Sequence, residues 1–415
     1  MRLKLHWQIF IGMGLGILFA IMSPANAQKI APVGDIFMRL LKMIVVPLIM
    51  TSIITGVAGI GDSRSLGRLG AKTFAYYITT SVLAITIGLS LANLIQPGSG
   101  IHVPQDQAFD PSQLQSAGSV SDILIRIIPI NPFSAAATGD ILGVIFFSIL
   151  FGFSITKLPE KYSATLLGFF QAAFQGMMVL TQSIIKLAPI GVFGLMSRAV
   201  SSMGTDLFAA VGWYMLTIAS GLLFHFLVVL PLLFYVTTRR NPLDHYRAML
   251  AVMAMAFSTS SSSATLPVNL DAVEKKAGVS NKVTSFVLPM GATINMDGTA
   301  LYECAGVLFI AQALGIPLDF GQQLVVVITA LLASIGAAGV PSAGLVMIFI
   351  VLEAVNITTP AAYVLVGVML AVDRPLDMFR TVVNTTSDSV GAVVIAHSEG
   401  EDLNYPIMGA GNSTK

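Results

Sequence analysis

Residues 249–270 read MLAVMAMAFSTSSSSATLPVNL, an apolar segment interrupted at its middle by six consecutive hydroxyl residues, 258–263. Positive side chains lie on both sides of the segment, at Arg239, Arg240, Arg247, Lys275, Lys276 and Lys282. Because Lys and Arg mark the cytoplasmic side of a membrane segment, a simple crossing would place one of these clusters outside. A re-entrant hairpin that enters and leaves from the cytoplasm satisfies both clusters, with a non-helical tip enclosed by protein or water.

The composition of the whole chain is that of a membrane protein. Of its 415 residues, 55% are hydrophobic and 10% are charged, whereas soluble domains carry about 25% charged residues. Several apolar blocks approach the ~20 residues that cross a bilayer; they are residues 9–21, 43–60, 81–95, 144–155, 216–236 and 305–314. The net charge of +1 predicts no nucleic-acid partner. We expect membrane lipid to surround the protein.

The distribution of Lys and Arg among the short loops sets the expected orientation. Positive clusters follow three of the apolar blocks, while the loop 97–118 contains neither Lys nor Arg. With Arg2 and Lys4 ahead of the first block, we expect a multi-pass protein of the inner or plasma membrane with both termini cytoplasmic. Residues 25–27 (ANA) leave a cleaved signal peptide as an alternative. Lys29, Arg39 and Lys42, between the first two spans, do not follow the rule.

A second interrupted segment runs from residue 324 to residue 355, with SIGAAGVPSAG (334–344) at its middle. Its flanks are poor in Lys and Arg, so this hairpin is expected to enter from outside. Two broken hairpins of opposite orientation, each followed by a helix, indicate an inverted repeat with a binding site at the middle of the membrane. Two kinked but ordinary spans are the simpler alternative.

The last apolar span carries a polar stripe. On a helix, five polar residues point within about 60° of the direction of Asp377: Asp373, Arg380, Thr381, Asn384 and Asp388. Arg374 lies at the edge of this stripe. Each charge inside a membrane costs at least ~2.5 kcal/mol on insertion scales, so the stripe requires water, a partner or a ligand. Three carboxylates face two guanidinium groups, and Asp297 and Glu303 in the preceding span add to the excess. The surplus predicts a cationic ligand: coupling ions, a substrate amine or protons.

The span before this stripe contains NMDGT at 295–299. Asn and Asp beside Gly in an apolar helix predict an unwound turn whose carbonyl and carboxylate oxygens can hold a desolvated cation. Tyr77, Thr80 and Ser81 could contribute further oxygens. Oxygen ligands suit a hard ion, and the sequence offers no Cys/His cluster for a transition metal.

Four ordered motifs together resemble the dicarboxylate/amino acid:cation symporters: SSSSATLP (260–267), NMDGTALY (295–302), SIGAAGVPSAG (334–344) and DMFRTVVNTTSD (377–388). The resemblance covers essentially the whole chain. It implies an all-α integral membrane protein with eight transmembrane helices, two re-entrant helical hairpins and inverted repeats, working as an elevator-type transporter and a homotrimer.

The resemblance also implies a division into two domains. Scaffold helices one and two would occupy residues 1–70, and scaffold helices four and five would occupy residues 119–200. Transport-domain helix three would occupy residues 71–97. The rest of the transport domain would occupy residues 205–415, with hairpin 1 at about 245–275 and hairpin 2 at about 320–356.

The same resemblance gives roles to individual residues. Arg380 would bind a substrate's side-chain carboxylate, for which its planar fork is suited, and Asp377 would bind the α-ammonium group. The implied substrate-binding set is Ser260, Ser261, Ser262, Thr299, Val340, Gly344, Asp377, Arg380, Thr381 and Asn384. The implied sodium ligands form three sets: Gly291, Asn295, Asn384 and Asp388; Thr293, Ser334, Ile335 and Ala337; and Tyr77, Thr80, Ser81, Asn295 and Asp297. The implied function is uptake of glutamate or aspartate with sodium, without an organic cofactor.

This sequence lacks one arginine that the family pattern places at the substrate site. Archaeal members have Arg at the position of Ser260 and animal members at that of Met378, and this chain has neither. Glu303 matches the animal carriers, in which this acid is tied to proton or potassium coupling, so protons remain an alternative driving ion.

Other substrates and classes remain as alternatives. A C4-dicarboxylate would leave Asp377 without a partner, and a neutral amino acid would leave Arg380 without one. An intramembrane enzyme is the remote alternative, because the five histidines form no spaced pair and no G-x-S-x-G motif occurs.

Overall fold

The computed structural model describes residues 5–59, 64–100, 128–138, 140–203, 206–336 and 343–405. Within these ranges the chain is helical and no β-strand occurs. In chain order the helices are α1 (Leu5–Met22), α2 (Pro24–Lys29), α3 (Ala31–Ala58), α4 (Arg64–Ile95), α5 (Pro132–Thr138), α6 (Ile141–Thr156), α7 (Glu160–Ile185), α8 (Ala188–Met203), α9 (Asp206–Phe224), α10 (Leu230–Thr238), α11 (Pro242–Ala248), α12 (Leu250–Thr259), α13 (Ser262–Ala277), α14 (Asn281–Ile294), α15 (Asp297–Ala313), α16 (Phe320–Gly336), α17 (Ala343–Ala354) and α18 (Pro360–Ser398). The predicted all-helical fold is confirmed.

By length and composition, four helical stretches of the described chain can cross a membrane: Pro24–Ala58, Arg68–Ile95, Glu160–Ile185 and Ala209–Thr238. Four shorter apolar helices accompany them: Trp7–Met22, Gly143–Thr156, Leu250–Thr259 and Phe320–Ile335. The 39-residue α18 carries the polar stripe and is buried over most of its length. The total of eight transmembrane helices stays a prediction.

The hydroxyl-rich stretch of the first hairpin forms the turn between α12 and α13. Ser260 adopts a left-handed conformation, φ +50°, which ends α12. Ser261 then caps α13, since its side-chain oxygen accepts a hydrogen bond from the backbone N–H of Ala264 at 3.2 Å. Hydroxyl side chains stabilise such a reversal because they bond to backbone groups that the helix ends leave free. The two helices pack against each other and against α18.

The helix that contains NMDGT is broken where the sequence predicts it. α14 ends at Ile294 and α15 begins at Asp297, while Asn295 and Met296 have non-helical backbone angles. The break leaves carbonyl groups at the end of α14 and N–H groups at the start of α15 without intrahelical partners. It therefore provides polar backbone groups deep inside the protein.

Two groups of helices pack mainly within themselves. In the first group, α1 packs against α8, and α3 packs against α6, α7 and α8. In the second group, α15 packs against α4, α17 and α18, and both helices of the first hairpin contact α18. The groups meet where α8 contacts α18 and where α3 contacts α16 and α17. Among the described residues, the Lys42 ammonium of α3 reaches across this boundary. It lies 3.1 Å from the ring centre of Tyr363 in α18 and 5.7 Å from that of Phe349 in α17.

The segment that follows α18 returns to the start of the first hairpin. His245 in α11 is fully buried and is bonded to the Tyr405 hydroxyl at 3.0 Å and the Ser389 hydroxyl at 2.9 Å. Glu399 is bridged to Lys72 and Arg68 of α4. Hydrogen bonds from Lys72 and Arg68 lower the pKa of Glu399 to about 2, so this bridge is fully charged at neutral pH. These contacts fix the end of α18 against α4 and α11.

Candidate functional site

Arg380 lies at the centre of the polar stripe of α18 and is 1% exposed. Its Nη2 donates to Asp377 Oδ1 at 2.5 Å, and its Nη1 donates to Asp373 Oδ1 at 3.3 Å. The guanidinium carbon lies 4.2 Å from the ring centre of Tyr302 in α15. Two carboxylates and one aromatic face therefore hold the cation, and Asp373 Oδ2 has no hydrogen-bond partner among the described residues.

Asn384, one turn further along α18, joins the stripe to the start of α15. Its side-chain oxygen accepts from the backbone N–H of Gly298 at 2.8 Å, and its amide donates to Thr299 Oγ1 at 3.2 Å. Thr381 is also buried, and its hydroxyl donates to the backbone oxygen of Asp377 at 2.8 Å. One polar region thus lies between α15 and α18, and it is lined by Asp377, Arg380, Thr381, Asn384 and Thr299.

The second hairpin approaches this region at Gly344, and the first hairpin packs against the same helix, α18. Gly344, near the start of α17, packs so closely that an added Cβ would lie 3.0 Å from Thr299 Cγ2 and 3.2 Å from Arg380 Cζ. Ser260, Ser261 and Ser262 are all buried at the tip of the first hairpin, which packs against α18. Val340, the other residue predicted from the second hairpin, lies outside the described residues.

A second polar cluster lies further along α18, at the helix break. The Asn295 amide donates to Asp388 Oδ1 at 2.9 Å and to Ser387 Oγ at 3.0 Å. Gly291 lies against the same carboxylate, since an added Cβ would clash with Asp388 Oδ1 and would lie 2.9 Å from the Tyr77 hydroxyl. The structure therefore brings four of the predicted sodium ligands together: Tyr77, Gly291, Asn295 and Asp388.

Asp297 completes this cluster and is fully buried. Its Oδ1 accepts from Ser81 Oγ at 2.8 Å, while its Oδ2 accepts from Ser387 Oγ at 2.6 Å and lies 3.2 Å from His225 Nε2. Thr80 Oγ1 lies 3.2 Å from Asn295 Oδ1. The third predicted sodium set is thus contiguous, with α4 contributing its hydroxyl groups.

The remaining predicted residues are placed differently. Thr293 and Ser334 each donate to a carbonyl of their own helix, at 3.0 and 2.8 Å, and Ile335 packs into an apolar cluster with Met290 and Ile294. Ala337 lies outside the described residues. Glu303 in α15 is fully buried, and both of its carboxyl oxygens are without a hydrogen-bond partner in the part of the chain described.

The charges of the site divide into two halves. Arg380 pairs with Asp373 and Asp377, and Arg374 Nη1 also lies 3.6 Å from Asp377 Oδ2. By contrast, neither Asp297 nor Asp388 forms a salt bridge with a Lys or Arg of the described ranges, and their partners are hydroxyl, amide and imidazole groups. A buried carboxylate without a cation is strongly disfavoured. The half that contains Asp297 and Asp388 is therefore suited to hold small hard cations through oxygen ligands.

Sequence reasoning missed several residues of the site. Asp373 is predicted on the stripe, where Arg374 and Arg380 could neutralise neighbouring carboxylates, but the sequence does not single it out as a partner of Arg380. Their spacing of seven residues puts both on one helix face. Tyr302 lies within the NMDGTALY motif, but nothing in the motif indicates that its ring faces a guanidinium. Ser387 and His225 reach Asp297 only through the tertiary fold, and no local pattern signals either contact.

Comparison with known proteins identifies the family of this chain. The model of the family described as "Sodium:dicarboxylate symporter family" matches residues 5–398. The chain is 35% identical over 412 residues to the "Proton/sodium-glutamate symport protein" of Bacillus caldotenax, covering 96% of each chain. It is 33% identical over 417 residues to the "Proton/glutamate-aspartate symporter" of Escherichia coli (strain K12), covering 96% of this chain and 93% of that protein.

An animal protein is similar to the same degree. The "Excitatory amino acid transporter 3" of Mus musculus is 35% identical over 461 residues, covering 97% of this chain and 87% of that protein. The predicted resemblance is thereby confirmed, and because the relatives are transporters, the enzyme alternative is set aside. The chain belongs to the sodium:dicarboxylate symporter family of membrane transporters.

Proposed function

We propose that this protein is a secondary active symporter that takes up an acidic amino acid, glutamate or aspartate, with sodium ions. The observation that carries the proposal is the pairing of Arg380 with Asp377 in one buried polar region. An acidic amino acid brings a side-chain carboxylate and an ammonium group. It can therefore replace one internal ion pair by two pairs with the substrate, so that neither buried charge is left alone.

The chemistry of binding follows from these contacts. The substrate's side-chain carboxylate competes with Asp377 for the guanidinium of Arg380, while Asp373 and the ring of Tyr302 keep that guanidinium in place. Asp377 then accepts hydrogen bonds from the substrate's ammonium group. We assign the α-carboxylate to Asn384, Thr299 and the N-terminal end of α13 at Ser262, where backbone N–H groups favour an anion.

Sodium ions would occupy the half of the site that contains Asp297 and Asp388. One ion is assigned to Gly291, Asn295 and Asp388, and another to Tyr77, Thr80, Ser81, Asn295 and Asp297. Both assignments rest on the clustering of these oxygens around two buried carboxylates that form no salt bridge with a Lys or Arg in the described part of the chain. Asn384 would link the two halves. Its side chain bonds to Gly298, the residue after Asp297 of the ion half, and to Thr299 of the substrate half.

The two helix groups correspond to a proposed scaffold and a proposed transport domain. The proposed transport domain consists of α4, α9, α10, the first hairpin, α14, α15, the second hairpin and α18. These elements would move together as an elevator against α1, α3 and α6–α8. We place the protein in the inner or plasma membrane with both termini cytoplasmic, as the loop charges predict. In α7, only 11% of the most apolar stretch is buried, so this helix is assigned to contacts with lipid and with other copies in a homotrimer.

A reconstituted system tests the proposal directly. Purified protein in proteoliposomes should accumulate labelled glutamate or aspartate when an inward sodium gradient is imposed, and replacement of external sodium by choline should abolish accumulation. Unlabelled succinate should compete poorly, because it has no ammonium group for Asp377. Better transport of succinate than of either amino acid would make the protein a C4-dicarboxylate carrier instead.

Glu303 is the candidate for coupling to protons or to potassium. Its carboxyl oxygens have no hydrogen-bond partner among the residues that the structure describes. A buried carboxyl group of this kind is less costly neutral than charged, so it can carry a proton in one half of the cycle. We expect Glu303→Gln to retain sodium-driven exchange of substrate across the membrane. Net uptake by this variant should become insensitive to pH and to internal potassium, measured in the same proteoliposomes.

The matched control for this experiment is Glu303→Asp, which keeps a titratable carboxyl group at the position. Its net uptake should remain dependent on pH. If Glu303→Gln keeps the wild-type pH profile, Glu303 has a structural role only.

A further inference from the structure

His225 is a buried histidine in the middle of an apolar membrane helix, and the function proposed above does not use it. It opens the π-helical turn His225–Val229 that joins α9 to α10. Its neighbours Phe224, Leu227 and Val228 are exposed on the apolar surface, whereas His225 itself is fully buried. Such π-helical turns occur often at functional sites, because the extra residue changes the direction of the side chains around it. Here the turn is associated with an imidazole that faces the protein interior.

The imidazole meets the carboxylate at the helix break. His225 Nε2 lies 3.2 Å from Asp297 Oδ2, and neither residue is exposed to solvent. A carboxylate can only accept hydrogen bonds, so Nε2 must carry the proton in this contact. Asp297 Oδ2 is then held by two donors, His225 and Ser387, from two different helices.

The geometry points to a positioning role for His225, resting on the sodium function proposed above. We infer that His225, donating from Nε2, fixes the Asp297 carboxylate in the orientation that binds a sodium ion and thereby raises the sodium affinity of the protein. An imidazole is able to donate such a hydrogen bond without carrying a charge, which leaves the negative charge of a carboxylate available to an ion. A lysine or arginine at this place would neutralise the carboxylate instead.

This contact corresponds to a general feature of metal sites. Groups that donate to a ligating carboxylate orient it, and their loss typically weakens metal binding by about 10- to 100-fold. His225 also connects the ion site to α9 and α10, because its backbone oxygen accepts from the N–H of Leu230 at the end of the π-helical turn. The position of Asp297 is therefore linked to the conformation of a membrane helix that contributes no other residue to the proposed ion sites.

The test compares His225→Met, which removes the donor but keeps an apolar side chain of similar length, with His225→Gln, whose amide can reach the same oxygen. For each purified protein, the sodium concentration that gives half-maximal protection against thermal unfolding is measured. We expect His225→Met to raise this concentration by about 10- to 100-fold and His225→Gln to restore most of the loss. At saturating sodium, the dissociation constant for labelled substrate should stay close to that of the wild type.

The control is His245→Met, which removes a second fully buried histidine whose partners, Tyr405 and Ser389, lie outside the proposed ion sites. It should lower the unfolding temperature without moving the sodium midpoint. Should His225→Met not fold, His225→Asn takes its place, since that amide is too short to reach Asp297. If sodium protects the wild type and the sodium midpoint of the donor-free variant is unchanged, the role of His225 is overturned, while the proposed coupling to sodium stands. A wild type that does not respond to sodium overturns both this role and the proposed coupling to sodium.

Discussion

Replacing Arg380 with alanine is expected to abolish measurable uptake of glutamate and aspartate. The guanidinium is buried between Asp373, Asp377 and the ring of Tyr302, and we assign it the side-chain carboxylate of the substrate. Removal of one partner from a buried charge pair costs about 2–5 kcal/mol, which corresponds to a loss of affinity of about 30- to 4,000-fold. Binding of labelled substrate to purified protein, together with uptake in proteoliposomes, measures the effect.

The neighbouring arginine provides the matched control. Arg374 lies 3.6 Å from Asp377, and its side chain is 21% exposed, so Arg374→Ala should weaken substrate binding far less than Arg380→Ala. The Arg380→Ala protein should also retain some binding of neutral amino acids, because Asp377 can still accept from their ammonium groups. Wild-type affinity for glutamate and aspartate in Arg380→Ala would refute the assignment of the substrate carboxylate.

Asp297→Asn and Asp388→Asn are each expected to remove most of the dependence of substrate affinity on sodium. Both carboxylates are buried without a cationic side chain among the described residues, and the amide supplies no charge for the ion. An ion that tightens substrate binding must itself be bound more tightly with substrate. Since such coupling is commonly worth about 1–3 kcal/mol, substrate affinity at high sodium should fall by about 5- to 150-fold.

Calorimetric titration of substrate at several sodium concentrations checks this prediction. Asp35→Asn is the control, because Asp35 belongs to the first helix group, where it bridges Arg198 at 3.0 Å. It should leave the sodium dependence unchanged. A wild type whose substrate affinity is insensitive to sodium but steep in pH would assign the driving ion to protons.

The last helix shows what can be predicted from sequence alone. Asp377, Arg380, Asn384 and Asp388 recur at helical spacing, so their common face follows from helix geometry without any tertiary information. The break at Asn295 was likewise predictable, because Asn, Asp and Gly in an apolar helix conflict with regular backbone bonding. Both features depend on residues that are close together in the chain.

The contacts that the sequence did not reveal depend on residues far apart in the chain. His225 and Asp297 are separated by 72 residues and meet only when α9, α10 and α15 are packed. Thr80 and Ser81, which bond to Asn295 and Asp297 at the helix break, come from α4, which is distant from the break in the chain. Propensity and periodicity report on one helix at a time, and they contain no information about which helices become neighbours.

Under the proposed movement of one helix group against the other, the contact between Lys42 and the ring of Tyr363 would affect the resting distribution of the carrier. It joins the two helix groups through an ammonium on an aromatic face, an interaction worth about 0.5–2 kcal/mol. In an elevator whose two positions are otherwise equal in free energy, a contact made in only one position changes the ratio of populations by about 2- to 30-fold. A change of this size is large enough to determine which side of the membrane the substrate site of most molecules faces between turnovers. It is also small enough that thermal motion breaks the contact in every cycle without a further input of energy.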